Sequence, residues 1–303
     1  MQKRKLGNTD SLVTELGYGA WELRSLDIKD AETILNYALD SGINYFDTSP
    51  DYGPSEEYIG RTVSHRRNEY YLATKCGCNI DQRGKRLKPG HIWSRERLLS
   101  NIENSLRVLK TDHIDVWQLH GAIPLDLKEG ENGEVIKTML KLKQQGKVLS
   151  IGISFKNGQP EDELYPAGYG FKYIHEFTKW EVFDVMQVVY GGLTRQNELV
   201  ISQTSEKGIG IIIRGVLRKY HNNYDKLFET AMLEHLLEEN ESRNDFLIRF
   251  ALKHMGISSM IIGTKNIDHL EANIKAVMKG SLPDKVYHEA KKRLDAICIC
   301  PRK

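Results

Sequence analysis

Two side chains capable of acid–base chemistry, Asp47 and Tyr52, lie five residues apart near the start of the chain. In the stretch "INYFDTSPDYGPSEEYIG" (43–60), the carboxylate comes at the end of an apolar run and the phenol comes just before a glycine. A strand followed by a turn and a helix, with Ser55 as the N-cap and two glutamates in the first turn, explains residues 54–57. It gives no reason for a carboxylate and a phenol to lie so close together.

Two more reactive side chains end other apolar runs: Lys75 closes "YYLATK" and His120 closes "DVWQLH". A phenol has a pKa near 10, and moving it toward 7 requires roughly 4 kcal/mol, much of which a buried ammonium beside it can supply. Lys75 suits that role, and Asp47 would be the counter-charge that keeps the ammonium protonated. His120 could hydrogen-bond a substrate oxygen. Each of these types alone is more often solvated than catalytic, but the four together indicate a proton-transfer site.

A repeating strand–helix pattern has to position these residues. Short apolar runs rich in β-branched and aromatic residues, typical of buried parallel strands, alternate with segments of helical period. The strand candidates are "LGYGAW", "INYFDTS", "YYLATK", "HIDVWQLH", "VLSIGIS", "FDVMQVVY", "IGIIIR" and "SSMIIGT". The helical faces include Ala31, Ile34, Leu35, Ala38 and Leu39, and then Leu98, Leu99, Ile102, Leu106 and Leu109. Gly42 and Gly146 close helices just before the next strand. Eight strands separated by helices predict an α/β fold, a single (β/α)8 TIM barrel over residues 1–303.

A doubly wound nucleotide-binding sheet is the competing architecture, but neither "GYGAWE" nor "GIGIII" completes its G-x-G-x-x-G motif. Ahead of the first strand, "RKLGNTDSLVTE" predicts an N-terminal β-hairpin that could plug the barrel floor. The longest irregular stretches, 76–93, 155–180 and 217–245, all follow strands. They are expected to be long loops at the C-terminal face of the barrel, where such folds build substrate pockets.

The composition argues against several classes of protein. With 40% apolar and 28% charged residues, the chain is expected to be soluble and globular. Its 43 basic and 41 acidic residues leave a formal charge of +2 without a long basic face, so no nucleic-acid partner is expected. No apolar segment follows "MQKRKLGNTD", and no run of about 18 apolar residues occurs, so neither a signal peptide nor a membrane partner is expected. The cytoplasm is the default location.

Four cysteines form two Cys-x-Cys pairs, Cys76 with Cys78 and Cys298 with Cys300. Structural zinc sites usually space their cysteines by about two to four residues, which disfavours a four-thiolate site. Free thiols in a reducing compartment are expected instead, and no metal is predicted. If the tail folded back over the barrel mouth, the two pairs could approach each other.

Four segments together resemble the aldo-keto reductase superfamily, in the family's order and across almost the whole chain: "FDTSPDYGPSEEYIG", "YLATK", "IENSLRVLKTDHIDVWQLH" and "IIGTKNIDHLEANI". The resemblance implies an NAD(P)H-dependent oxidoreductase that interconverts a carbonyl and an alcohol by ordered hydride transfer. By resemblance Tyr52 is the general acid/base, and Asp47 and Lys75 tune it. His120 would orient the substrate carbonyl. The residues at all four of these family positions are therefore present in this sequence.

The resemblance also implies a nicotinamide dinucleotide extended across the barrel mouth. Its contacts would come from strand ends and from a motif that opens the last barrel helix. These residues are Gly19, Trp21, Asp47, Ser154, Gln187, Arg214, Gly263, Thr264, Lys265, His269 and Asn273.

Within this set, Ser154 and Gln187 match family positions that touch the nicotinamide carboxamide, but the usual Asn after that Ser is Phe155 here. Arg214 stands where the family commonly stacks a Tyr on the nicotinamide ring, and a planar guanidinium can also stack. The segment from 263 to 273 resembles the motif that clasps the adenosine phosphates. A strand that turns into a helix N-terminus is also an anion site in its own right.

The choice of cofactor and substrate rests on fewer residues. Thr264 and Lys265 offer a hydroxyl and a cation to a 2'-phosphate, and no acidic residue is placed to claim the ribose hydroxyls, so NADP is favoured, with NAD as the alternative. Trp21 is expected to line the substrate side of the nicotinamide. The substrate is expected to be a small carbonyl compound, such as a sugar, a polyketide or an aromatic carbonyl compound.

Two loops could shape the substrate pocket. Aromatic residues in 155–180 could form its wall or cover the barrel rim; they are Tyr165, Tyr169, Phe171, Tyr173, Phe177 and Trp180. Basic residues in 76–93 could attract an anionic substrate or form a solvated face; they are Arg83, Lys85, Arg86 and Lys88.

Two rival functions remain open. One is a non-catalytic member of the same superfamily that binds the cofactor and reports redox state to a partner, as a channel subunit does; the intact tetrad argues against it. The other is a metal-dependent barrel hydrolase that would use Asp47, Asp51, His113 and His120. His113 precedes a strand and should lie at the opposite end of the barrel from His120. The sequence does not determine the oligomeric state.

Overall fold

The computed structural model describes residues 1–81, 84–122, 127, 129–156, 169–217 and 224–302. In this part of the chain, eight parallel strands close into a barrel with helices around it, as predicted from the strand–helix pattern. The strands are β1 (Lys3–Lys5), β2 (Leu12–Thr14), β3 (Leu16–Gly19), β4 (Tyr45–Asp47), β5 (Tyr71–Cys76), β6 (Cys78–Ile80), β7 (Arg86–His91), β8 (Ile114–His120), β9 (Val148–Ser154), β10 (Val185–Val189), β11 (Gly210–Arg214) and β12 (Ser259–Ile262). The barrel runs β3-β4-β5-β8-β9-β10-β11-β12 and closes where β12 pairs with β3.

The helices pack outside the barrel through the apolar faces that the sequence predicts. They are α1 (Ile28–Asp40), α2 (Ser55–Thr62), α3 (Arg95–Leu109), α4 (Glu134–Gln144), α5 (Tyr169–Lys179), α6 (Glu198–Glu206), α7 (Tyr224–Thr230), α8 (Arg243–Leu252), α9 (Ile267–Met278) and α10 (Asp284–Ala296). All five predicted core positions of α1 are buried, and Asp27 caps this helix by accepting from the amides of Lys29 and Asp30. In α3, Leu98, Ile102 and Leu109 are buried. Gly42 and Gly146 follow α1 and α4 and have φ of +84° and +73°. Glycine adopts positive φ without strain, which explains why it occurs at these two positions.

The predicted N-terminal hairpin is present as the antiparallel pair β1–β2. Leu6 and Val13 are completely buried in one cluster with residues of the barrel strands, such as Tyr45 and Val116. The hairpin therefore plugs the barrel floor, as expected from its alternating pattern.

The stretch 76–93, predicted to be irregular, contains a second antiparallel hairpin, β6–β7, in which Cys78 lies opposite His91. Most of β7 is exposed, and it includes a Pro and a Gly, so its sequence gives little sign of a strand. This hairpin follows β5 and lies at the C-terminal face of the barrel. Of the basic residues noted in this stretch, Arg83 lies outside the described residues.

The two other long stretches are also partly ordered. Within 155–180, α5 is described, and Phe177 is buried against Phe155 and Trp180, with ring centroids 5.8 and 4.6 Å away. These rings belong to the hydrophobic core rather than to a substrate wall; Tyr165 lies outside the described residues. Within 217–245, α7 and a 3-10 helix over Leu233–Leu236 are described. No helix in the described residues is long and apolar enough to cross a membrane.

Candidate active site

The four residues predicted to transfer protons meet at the C-terminal end of the barrel. Asp47 ends β4, Lys75 is the last but one residue of β5, and His120 ends β8. Tyr52 lies in the turn between β4 and α2, which folds back over these strand ends. Because parallel strands deliver their carboxyl ends to one rim, three separate segments converge there.

Lys75 and Asp47 form a fully buried ion pair. The Lys75 ammonium donates to Asp47 Oδ1 at 2.6 Å and to the carbonyl oxygen of Thr48 at 2.8 Å. Burial lowers the pKa of Lys75, but Asp47 and Tyr52 outweigh it, so the pKa lies above its usual value. The ammonium therefore stays charged at neutral pH, as the sequence predicted.

The second oxygen of Asp47 is held by two amides. Gln187 and Gln118 donate to Asp47 Oδ2 at 2.7 and 3.1 Å, and the Ser154 hydroxyl donates to the side-chain oxygen Oε1 of Gln187 at 2.9 Å. Gln118 was not among the predicted site residues, although a Gln inside an apolar strand, two residues before His120, was an available signal. Gln118 Oε1 is buried and has no hydrogen-bond partner among the described residues. Ser154 and Gln187 are thus linked by hydrogen bonds to the carboxylate of Asp47.

Tyr52 lies beside the ammonium, with Lys75 Nζ 4.9 Å from the centre of its ring. The rings of Trp21 and His120 meet it edge-on, at centroid distances of 4.7 and 6.1 Å. Burial raises the pKa of Tyr52; Lys75 lowers it but does not compensate, and Asp47 raises it further. The expected net fall of the pKa of Tyr52 toward 7 is therefore wrong for this structure, because burial outweighs the effect of the ammonium and the Asp47 carboxylate adds to burial.

His120 is half-buried, with 12% of its side chain exposed. Its Nδ1 is 3.4 Å from both Ser49 Oγ and Cys78 Sγ and 3.5 Å from Asp51 Oδ1. Burial lowers the pKa of His120 well below its ordinary value, and Asp51 opposes this only in part. The imidazole is therefore neutral at physiological pH, with one nitrogen protonated.

Asp51 is a buried carboxylate that the sequence pointed to only in the metal alternative. Ser49 donates to Oδ1 at 2.6 Å, and Arg86 of β7 donates to Oδ2 with its Nε at 2.8 Å. Burial raises the pKa of Asp51, but the hydrogen bonds from Ser49 and Arg86 and the charge of Arg86 oppose it, and the pKa lies well below its usual range. Asp51 thereby joins the β6–β7 hairpin to the turn that carries Tyr52.

Behind the site, α2 begins differently from the prediction. Ser55 is the first residue of the helix rather than its N-cap, and its hydroxyl donates to the carbonyl oxygen of Ala20 at 2.9 Å. Glu56 is buried, and its carboxyl group accepts from Thr74 at 2.6 Å and from Ser105 at 2.9 Å. Burial raises the pKa of Glu56 to about 7, although both hydroxyl donors oppose the shift.

Two of the predicted dinucleotide contacts, Gly19 and Gly263, lie at the seam where β12 pairs with β3. Gly19 and Gly263, at the ends of β3 and β12, approach so closely that a Cβ on Gly263 would lie 2.5 Å from the carbonyl oxygen of Gly19. Trp21 is 36% exposed at this rim, and the guanidinium of Arg24 lies 3.6 Å from the centre of its ring. The indole of Trp21 therefore contacts both Tyr52 and Arg24 at the rim.

Beyond the seam, the motif from 263 to 273 forms the N-terminus of α9. Asn266 caps this helix by accepting from the amide of His269 at 3.1 Å, and the carbonyl oxygen of Thr264 accepts from Tyr18 at 2.7 Å. Lys265 and His269 are exposed, whereas Asn273 is buried. Two exposed basic side chains at the N-terminus of a twelve-residue helix suit a phosphate group. The donors present therefore fit a dinucleotide.

Arg214, which the resemblance places against the nicotinamide ring, ends β11 and is half-buried. Its guanidinium donates to the carbonyl oxygen of Phe155 at 2.6 Å, while the ring of Phe155 is buried in the core. The ring of Phe155, which replaces the family's Asn, is thus buried in the core. Only the backbone carbonyl group of Phe155 contacts Arg214 at the barrel mouth. Arg214 lowers the pKa of Tyr52, so its charge reaches the site.

The residues of the metal-dependent hydrolase alternative do not all come together, although Asp51 and His120 lie 3.5 Å apart. His113 precedes β8, at the opposite end of that strand from His120, and its ring bonds to Asp112 at 2.6 Å. All four cysteines are free thiols; Cys76 and Cys78 are buried, whereas Cys298 and Cys300 are exposed.

Comparison with known proteins places this geometry in context. The model of the Aldo/keto reductase family matches residues 15–295. The chain is similar to the uncharacterized oxidoreductase YqkF of Bacillus subtilis, with 28% identity over 300 residues that cover 91% of each protein. It is similar to L-galactose dehydrogenase of Arabidopsis thaliana, with 29% identity over 300 residues that cover 91% of this chain and 88% of that protein. Among solved structures, the holo form of aldo-keto reductase AKR11C1 from Bacillus halodurans matches with a TM-score of 0.82 and 28% identity, over 97% of this chain and 96% of that one.

Proposed function

Because the chain belongs to the aldo/keto reductase family, an oxidoreductase family that uses nicotinamide cofactors, we propose that it reduces a small carbonyl compound to an alcohol with NADPH. One observation carries the proposal: a charged, fully buried Lys75–Asp47 pair lies beside the phenol of Tyr52 at the open end of the barrel. A buried ion pair gives little stability, so its place next to a phenol indicates a chemical role.

When bound, the cofactor supplies the hydride that reduces the carbonyl carbon. In our proposal Tyr52 donates a proton to the carbonyl oxygen, and Lys75 stabilises the phenolate as it forms. Asp47 keeps Lys75 charged, and the two glutamine amides hold Asp47 in position. The neutral imidazole of His120 donates one hydrogen bond to the same carbonyl oxygen.

The pKa of Tyr52 lies above its ordinary value, so the phenol is protonated at neutral pH, the state that reduction requires. A phenol that stays protonated above pH 7 is ready to give a proton, whereas alcohol oxidation needs a base there. We therefore expect the rate of reduction to change little between pH 6 and pH 8, and the rate of oxidation to rise with pH across this range.

The choice of NADP over NAD rests on the surface around α9. Lys265 is exposed and can meet a 2'-phosphate, and the hydroxyl of Thr264 lies next to it in sequence. We expect NADPH to bind more tightly than NADH in a fluorescence titration, and we expect Lys265→Ala to remove most of that difference. Equal affinity of the unaltered protein for both cofactors would contradict this choice.

For the substrate, we propose a sugar-like carbonyl compound or lactol. Support comes from the similarity to L-galactose dehydrogenase and from the polar rim, where Arg24, Ser25 and Arg86 border one open cleft. A panel of aldoses, simple aldehydes and aromatic ketones would test this proposal. A preference for the apolar ketones would contradict it.

The central test is Tyr52→Phe, with Tyr58→Phe as a matched control. The control removes a phenol that donates only to the carbonyl oxygen of Leu26 at 3.3 Å, away from the site. We expect Tyr52→Phe to lower kcat by at least about 100-fold, since general acid catalysis contributes at least that much, while the affinity for NADPH is kept. If Tyr52→Phe turned over every substrate as fast as Tyr58→Phe, Tyr52 would not be the proton donor.

The alternative is a non-catalytic subunit of the same fold that binds the nicotinamide cofactor and signals redox state. It predicts tight cofactor binding without turnover on any substrate in the panel. Steady-state turnover that depends on Tyr52 would exclude it.

A further inference from the structure

Four side chains of metal-ligating type meet beneath the barrel mouth: Asp51, Cys78, His91 and His120. One ligating atom from each lies within 4.8 Å of the others. They come from three places in the fold, the turn after β4, the β6–β7 hairpin and the end of β8. Cys78 and His91 face each other across the hairpin.

The spacing is close to that of a tetrahedral metal centre. With metal–ligand bonds of about 2.0–2.3 Å, neighbouring ligand atoms of a tetrahedron lie roughly 3.3–3.8 Å apart. His120 Nδ1 is already 3.4 Å from Cys78 Sγ and 3.5 Å from Asp51 Oδ1. The longest separation in the group, 4.8 Å, would have to shorten by about 1 Å.

The imidazole and carboxylate donors can accept a cation as they stand, whereas the thiol of Cys78 must lose its proton on binding. Nε2 of His91 is buried and has no hydrogen-bond partner in the part of the chain that the structure describes. Arg86 occupies Oδ2 of Asp51, which leaves Oδ1 facing His120.

We propose that Asp51, Cys78, His91 and His120 form a binding site for one divalent transition-metal ion, with zinc as the best match. One thiolate, two imidazoles and one carboxylate are all ligands that Zn²⁺ takes, and two anionic ligands would neutralise its charge. Four protein ligands complete a tetrahedral shell and leave no open position for substrate. The ion is therefore structural rather than a Lewis acid for the carbonyl.

Occupation of this site would act on the fold and on His120. The ion would tie the β6–β7 hairpin to the barrel rim through Cys78 and His91. Ligation through Nδ1 of His120 would leave the ring proton on Nε2, available for a substrate oxygen. Binding replaces the S–H bond of Cys78 with a sulfur–metal bond and releases that proton to solvent, and the Ser49 hydroxyl must turn away from Asp51 Oδ1.

The test is titration of the chelator-treated protein with Zn²⁺, and with Co²⁺ as a spectroscopic probe. We expect one ion per chain, the intense visible bands of tetrahedral Co²⁺, and a thiolate-to-cobalt charge-transfer band in the near ultraviolet. Zn²⁺ should raise the midpoint of thermal unfolding by several degrees and release about one proton per ion. None of these readouts depends on enzyme activity, so they are independent of the proposed function.

Cys78→Ser should abolish the charge-transfer band and weaken Zn²⁺ binding by at least about tenfold. Cys298→Ser, which changes an exposed thiol of the tail, should change neither. His91→Ala provides a second variant if the buried Cys78→Ser does not fold, and it too should weaken binding. The proposal is overturned if the unaltered protein binds no stoichiometric metal at micromolar concentration, or if its Co²⁺ spectrum is octahedral. It is also overturned if the charge-transfer band survives in Cys78→Ser, or if His91→Ala binds the metal as tightly as the unaltered protein.

Discussion

Replacing Glu56 with glutamine should change how the stability of the protein depends on pH. Glu56 is buried between α2 and α3, where hydroxyl groups of Thr74 and Ser105 donate to its carboxyl group. A protonated carboxyl group has a carbonyl oxygen that accepts and one O–H that donates, and a glutamine amide has a carbonyl oxygen that accepts and two N–H bonds that donate. Glu56→Gln therefore imitates the neutral acid.

The magnitude follows from the difference in pKa between the two states. The folded-state pKa of Glu56 is about 7, against an ordinary value of 4.5. Between these values the unfolded chain has lost the proton and the native protein retains it, so the free energy of unfolding falls as pH rises. At about 1.4 kcal/mol per pH unit, the loss accumulates to about 3 kcal/mol by pH 8. The variant carries no such penalty.

Urea unfolding followed by tryptophan fluorescence, at intervals from pH 5 to pH 8, would measure the effect. The variant should be more stable by less than about 1 kcal/mol at pH 5 and by about 3 kcal/mol at pH 8. Other titrating groups are common to both proteins and cancel in the difference. Glu57→Gln, at the exposed neighbouring position, is the control for the loss of one carboxylate from α2. A difference curve for Glu56→Gln that stays level from pH 5 to pH 8 would show that Glu56 is ionised in the native protein at neutral pH and would refute the reasoning.

Two further predictions concern packing and the buried ion pair. Gly60→Ala places a Cβ 2.0 Å from the carbonyl oxygen of Val108 in α3. It should lower the free energy of unfolding by about 3 kcal/mol. The control Gly42→Ala should lower it less, because only a positive φ of +84° opposes that substitution. Equal midpoints of thermal unfolding for the two variants would contradict the clash. Asp47→Asn leaves the ammonium of Lys75 buried without a counter-charge and should destabilise the protein by about 3–5 kcal/mol at pH 7. Because an unpaired buried Lys loses its proton more easily, that cost should shrink as pH rises toward 9, and a cost independent of pH in urea unfolding would argue against it.

The barrel could be predicted because each buried strand is a nearly continuous apolar run. In such runs a polar residue at the last position stands out, and Asp47, Lys75 and His120 could be placed at one rim without coordinates. The parallel arrangement alone brings those strand ends together. The helical faces were predictable for the same reason, since α1 buries the residues that share its apolar side.

The parts that could not be predicted depend on contacts between distant segments. Ser55 looks like an N-cap locally, yet Ala20 offers its hydroxyl a better partner across the fold. The β6–β7 hairpin carries charges, a proline and a glycine where strands usually carry β-branched residues, and His91 reaches the site only through that hairpin. The net direction of the pKa of Tyr52 could not be predicted either, because it is a balance between burial and two opposed charges.

The seam of the barrel has a consequence for the order of folding. β3 and β12 are the two barrel strands farthest apart along the chain, and their pairing closes the largest loop. Contacts of this kind form late, because the entropy of bringing the ends together is lost before the contact stabilises anything. Gly19 and Gly263 touch at the top of that junction. A dinucleotide bound across these glycines, as we propose, would hold together the strand pair that forms last. The cofactor that carries the hydride would then also stabilise the closed barrel.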